Sequence, residues 1–117
     1  MILEAERAGL RYSLVEFINS KGARNTWIYT NKFKIYVRRG FNKDRFWLAS
    51  IDVLHTGQGT FKNVILPTVE AVSLESDYRA LIVENVQTEQ FAAFFRKHGW
   101  IETTDGLTST FTLHLRP

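Results

Sequence analysis

The sequence contains no cysteine, two prolines and one methionine among its 117 residues. The lack of cysteine excludes disulfides, thiolate nucleophiles and cysteine-based zinc sites. His55, His98 and His114 show no metal-ligand spacing and no acidic cluster joins them, so no metal site is expected. No G-x-S-x-G segment is present, which removes the nucleophile elbow of the hydrolases. No apolar run approaches the roughly 18 residues of a membrane span. Glu4, Glu6 and Arg7 stand too early for the apolar core of a secretory leader. A cytoplasmic protein that does not contact a membrane is therefore expected. The formal charge of +3 and a pI near 9.4 are mild for a dedicated nucleic-acid binder, so a nucleic-acid partner is not expected. A site for one small anion needs no more charge than this.

Hydrophobic residues make up 44% of the chain, with nine Phe, four Tyr and three Trp, which suits a single domain over residues 1–117 with helices packed on a sheet. Leu10, Leu14, Phe17 and Ile18 form a helical stripe that Gly22 can terminate. "TWIYT" (26–30) and "KFKIYVRR" (32–39) read as strands, the second alternating Phe33, Ile35 and Val37 with polar residues. "GFNKD" is a turn, and residues 45–54 read as the return strand of a hairpin. Phe61, Val64, Ile65, Thr68, Val69 and Val72 share a helix face. Pro67 within that face predicts a kink or a second helix opening there. Residues 79–86 form a buried strand, and Thr88 caps a helix that Gly99 ends. An Asp-Gly hairpin closes the chain. The order is α-β-β-β-loop-α-β-α-β-β, an α+β fold with a mixed α/β sheet.

Gly57-Gln58-Gly59 lies between the strand ending near Val53 or Leu54 and the helix opening near Thr60. Two readings stand. Glycines ease a tight turn; they also let successive N–H groups converge beside the positive end of a helix, a seat for an anion. A P-loop is excluded, because its Lys-Ser/Thr pair is missing. A dinucleotide fingerprint is excluded by Lys62 at the position of the third glycine.

Strand, G-x-G loop, helix, "LIVENV", the helix "TEQFAAFFRKHGW" and a terminal hairpin together resemble the GNAT superfamily of acyl-coenzyme A acyltransferases, over about Ile51 to Trp100 with Arg38 to Leu54 as the preceding hairpin. The resemblance is to the small, divergent GNAT-like proteins seen in bacteriophages. It implies a central, mostly antiparallel sheet, splayed between the strands near 45–54 and 79–86 and flanked by helices. It implies acetyl-coenzyme A as cofactor and an amine as acceptor. Gly57, Gln58, Gly59 and Thr60 would cradle the pyrophosphate. Val53 and Leu54 would offer main-chain groups to the pantetheine arm, with Asn85 beside it. Phe95, Gly99 and Trp100 match the family's aromatic-x-x-x-Gly-aromatic ending, which places Phe95 at the cofactor. Leu54 stands where the family has Gln or Arg, and Phe95 where a tyrosine often protonates the leaving thiolate.

The candidate bases are Glu84, in an apolar strand, and His55, in the loop; alternation points Asp52 away from the cleft. Glu84 can equally be the partner of a nearby arginine, and His55 an exposed loop residue. Lys32, Lys34 and Arg38, interleaved with aromatics, are an ordinary solvated face, a nucleic-acid surface or a landing site for an acidic protein. The sequence thus supports an acetyltransferase with an unknown acceptor. The alternative is a catalytically inactive GNAT scaffold that binds and modulates a host or partner macromolecule.

Overall fold

Six short strand segments and three helical ones make up the layers. A computed structural model describes residues 2–40, 42–54, 59–86, 88–106 and 108–116. Helix α1 (Ile2–Asn19) precedes strands β1 (Asn25–Tyr29), β2 (Phe33–Arg39) and β3 (Arg45–Val53). A π-helical segment (Phe61–Ile65) runs into α2 (Leu66–Glu75). Then come β4 (Ala80–Val86), α3 (Glu89–Lys97), β5 (Ile101–Asp105) and β6 (Thr108–His114). The strands form one mixed sheet in the order β1-β2-β3-β4-β6-β5. Its pairings are antiparallel except for β3 with β4.

Both crossovers, β3 to β4 and β4 to β5, advance in the same direction across the sheet. Right-handed connections then place both helical segments on one face. Helix α1 joins them there, setting Leu10, Leu14, Phe17 and Ile18 into the core. Phe17 meets the edge of Phe46 at 6.3 Å. Arg39 secures the end of α1: its guanidinium donates to the carbonyls of Ile18, Ser20 and Ala23 and lies 5.2 Å from the Phe17 ring. The core face of the sheet carries Ile35, Val37, Phe46, Leu48, Leu81, Val83 and Phe111. Among the described residues no helix lies on the opposite face. That face carries Trp27, Lys34, Tyr36, Arg38, Trp47 and Glu84.

The stripe from Phe61 to Val72 is buried throughout. Pro67 acts within it as a π-to-α transition: the amide of Leu66 donates five residues back to Phe61 O, and α-helix follows. A proline at 67 leaves the carbonyl four residues earlier, Asn63, without its α-helical donor. The Arg7 guanidinium of α1 donates to that carbonyl at 2.6 Å. Thr88 caps α3 by accepting from the Phe91 amide, and Gly99 takes φ +79 after its end.

Candidate functional site

Strands β3 and β4 pair only over Arg45–Leu48 and Ala80–Val83. Beyond Leu48 and Val83 they diverge, and each strand is bulged where it does so. In β3, Tyr36 opposes Ser50 while Val37 opposes Leu48, which leaves Ala49 as the extra residue. In β4, Val83 opposes Phe111 while Val86 opposes Ser109, which leaves one extra residue at Glu84–Asn85. Asn85 takes φ +59, a left-handed conformation that asparagine tolerates better than most side chains. A bulge bends its strand and sharpens its twist. Two bulges at one level therefore open a fork in the sheet. Asn85 Nδ2 donates to Ala49 O at 3.1 Å, so the two bulges are tied across the vertex.

The opening is a cleft of about 370 Å³ lined by Ser50, Ile51, Glu84, Asn85, Val86, Thr88 and Phe91. Glu84, the first β4 residue past the pairing, forms an ion pair with Arg38. Arg38 starts from β2 and crosses β3 to reach it, passing 5.3 Å from the Trp47 ring centroid. Trp47 thus supports the guanidinium, and the guanidinium fixes the carboxylate at the vertex on the helix-free face. Both side chains remain partly open to solvent.

The far end of β3 leads to the glycine loop. His55, Gly57 and Gln58 lie outside the described residues. Val53 pairs with Phe33, and the Leu54 amide donates to Lys32 O at 2.8 Å, so that N–H is committed to the residue just before β2. Gly59 has φ +71, and a Cβ there would stand 2.5 Å from Asn63 Nδ2. Asn63 N donates to Gly59 O at 2.8 Å, which starts the helical ladder. The N–H groups of Thr60, Phe61 and Lys62 come before that first intrahelical bond, where a helix attracts anions. Thr60 is buried and its side chain makes no cap.

Phe95 is fully buried, stacked on Phe111 at 4.8 Å and edge-on to Trp100 at 4.8 Å. The α3 ring that faces the cleft is Phe91, itself stacked on Phe61 at 4.8 Å. The structure thus brings together Glu84 and Asn85 at the cleft, and Gly59 with Thr60 at the helix start. Sequence reasoning missed Arg38, Trp47, Ala49 and Phe91 as members of the site. The bulges did leave a signal. Inward apolar positions in β3 switch parity from Phe46 and Leu48 to Ile51 and Val53, and in β4 from Leu81 and Val83 to Val86.

No family model and no curated protein sequence matches the chain. Solved structures do. A Klebsiella pneumoniae protein assigned as an acyl-CoA N-acyltransferase superposes with TM-score 0.61 at 14% identity, over 96% of this chain and 88% of that one. The chain has the GNAT fold. A GNAT family acetyltransferase from Elizabethkingia anophelis with acetyl-CoA bound gives TM-score 0.57 at 11% identity, over 88% and 82%. The PaiA N-acetyltransferase of Thermoplasma acidophilum in complex with coenzyme A gives 0.56 at 16%, over 71% of this chain. This GNAT-fold chain spans 53% of that protein's length. Among the described residues no helix is long and apolar enough to cross a membrane.

Proposed function

We propose that this chain is a GNAT-type N-acyltransferase that uses acetyl-coenzyme A and acylates an amine. The observation that carries the reading is the doubly bulged fork between β3 and β4, with a glycine-started helix at the end of β3. GNAT-fold neighbours crystallised with coenzyme A or acetyl-CoA support it.

The residues present fit such a cofactor. Gly59 has room only for hydrogen on the side facing Asn63. The amides of Thr60, Phe61 and Lys62, with Gly57 and Gln58 before them, would hold the pyrophosphate without a cationic side chain. Val53, Leu54 and the strand segment Ser50–Ile51 would line one side of the pantetheine arm, and Asn85 the other. Bound there, acetyl-coenzyme A supplies an activated thioester. Glu84 would accept the proton of an incoming ammonium, and His55 is the second candidate for that role. Arg38 and Trp47 would hold the Glu84 carboxylate at the vertex. Phe95, placed where the family often has tyrosine, has no proton to give, so protonation of the leaving thiolate would fall to water. The same fact supports the second reading, a GNAT scaffold that binds a partner macromolecule without catalysis.

Calorimetry with acetyl-coenzyme A tests the first reading. The expected result is saturable heat in the wild type and none in Gly59→Val. A ligand at 100 times its Kd also stabilises the fold by about 2.7 kcal/mol. No heat and no thermal shift at millimolar cofactor would overturn it. With binding established, thioester cleavage across a panel of amines separates the readings: loss of turnover in Glu84→Gln supports catalysis, and absence of turnover with every amine supports the scaffold.

A further inference from the structure

The net charge of +3 conceals a segregation. At the end of the sheet away from the fork stand Lys21, Arg39, Lys43, Arg45, Arg79 and Arg116, against the carboxylates of Asp44 and Asp77. The whole chain holds 15 basic and 12 acidic side chains, so the remainder, nine against ten, is net negative. The backbone draws the middle of the basic group together. Arg79 N donates to Lys43 O at 2.9 Å, Ala80 N donates to Asp44 O at 3.0 Å, and Arg45 is the register partner of Ala80. Lys43, Arg45 and Arg79 therefore start from two neighbouring strand ends, about 4.8 Å apart.

Helix dipoles account for part of this group. Helices α1, α2 and α3 all end here, and a helix C-terminus attracts cations. Two arginines meet that need: Arg39 donates to the carbonyls of Ile18, Ser20 and Ala23, and Arg116 donates to Leu74 O and pairs with Asp77 at 3.2 Å. The other four have no such task. Lys21, Lys43, Arg45 and Arg79 are exposed and form no ion pair among the described residues. Lys43 Nζ stands over the Tyr78 ring at 4.6 Å, where no carboxylate neutralises it. Elsewhere Arg11, Lys32, Lys34, Arg38 and Arg96 each hold a carboxylate. Like charges gathered without partners repel one another, and a bound polyanion relieves that cost.

The class of polyanion follows from what this end lacks. Protein interfaces carry an apolar core with aromatic anchors. Among the described residues here, Leu74 is the one large hydrophobic side chain that is exposed. A single strand binds through bases stacked on exposed rings. Tyr78, the ring under Lys43, is 1% exposed. A duplex backbone asks chiefly for cations. From this distribution we infer that the end opposite the fork docks on the phosphate backbone of duplex nucleic acid through Lys21, Lys43, Arg45 and Arg79. The net-negative remainder turns the fork away from the duplex, so the cleft stays open while the protein is bound. The inference does not depend on the acyl-transfer reading.

Fluorescence anisotropy of a labelled DNA duplex of about 20 base pairs, titrated with the full chain from about 25 to 200 mM salt, tests it. Saturable binding is expected, with log K falling against log salt at a slope of about −3.6 for four neutralised phosphates. Lys43→Glu with Arg79→Glu roughly halves that slope and weakens binding at least tenfold at about 50 mM salt. Lys34→Glu with Lys62→Glu removes the same net charge elsewhere and leaves the slope unchanged. Both pairs replace exposed side chains, and their Tm values confirm folding. Duplex RNA bound as well as DNA supports a contact limited to phosphates; a preference for either duplex supports the surface and names its source. No saturable signal at the lowest salt would overturn the inference, as would equal losses in the two variant pairs. Tighter binding of the single strand, of polyglutamate or of phosphatidylserine vesicles would also overturn it.

Discussion

The two halves of β3 and β4 differ although the chain builds them from similar residues. Over Arg45–Leu48 and Ala80–Val83 the strands are zipped in parallel, with Phe46, Leu48, Leu81 and Val83 inward and almost fully buried. Over Ala49–Val53 and Glu84–Val86 the same strands part. The inward residues Ile51 and Val53 are only half-buried, and side chains rather than ladder bonds span the gap. One inserted residue per strand converts a stability element into an opening. Truncating an inward side chain costs most folding energy in the zipped half; past the vertex the folding cost rests on the Asn85 tie, and the other positions bear on binding.

Predictions follow that contrast in order of size. Leu48→Ala, in the zipped half, lowers stability by about 2–5 kcal/mol, read from denaturant midpoints at constant m. Ser50→Ala, just past the vertex, changes it by no more than about 0.5 kcal/mol. Equal effects would erase the distinction between the halves. Asn85→Ala sets a Cβ without a compensating polar group at positive φ and removes the bond to Ala49 O, and costs about 2 kcal/mol. Asn85→Gly keeps the conformation, and its loss is limited to the bond, about 1 kcal/mol. If Gly and Ala are equally damaging, the left-handed bulge is not what shapes the vertex. Gly59→Ala, at φ +71 and against Asn63, costs about 1–2 kcal/mol and weakens acetyl-coenzyme A binding.

The smallest effect comes from outside the fork and serves as its control. Glu102 on β5 accepts hydrogen bonds from Arg96 of α3, at 2.8 and 2.9 Å, and from Ser109 at 2.7 Å. The Arg96 bonds first, then the Ser109 bond, pull its carboxyl down to about 2. A folded value below the unfolded one gives stability that is present above about pH 4.3 and lost as pH falls towards 2. The Tm of Glu102→Gln is therefore below wild type at pH 7, and the two converge near pH 2. Acetyl-coenzyme A binding is unchanged in this variant.

Much of this was legible in the sequence. Element order, the buried stripe from Phe61 to Val72, the Thr88 cap and Gly99 follow from local spacing and local chemistry. The Pro67 break was expected, though its resolution as a π segment depends on Arg7, 56 residues from Asn63 in sequence. The fork came from family resemblance; parity switches at Leu48–Ile51 and Val83–Val86 carry it physically. The ion pair of Glu84 with Arg38 needed the strand order, because only β2-β3-β4 adjacency lets an arginine cross Trp47 to a carboxylate 46 residues away. The helix-free face needed crossover handedness, which no local pattern encodes.

The most direct measurement is a map of backbone amide resonances during titration with coenzyme A. Saturable shifts concentrated at Gly59–Lys62, Ala49–Val53 and Glu84–Thr88 are the predicted result. Shifts confined to other surfaces, or none at millimolar ligand, would contradict the fork as the seat of an acyl carrier.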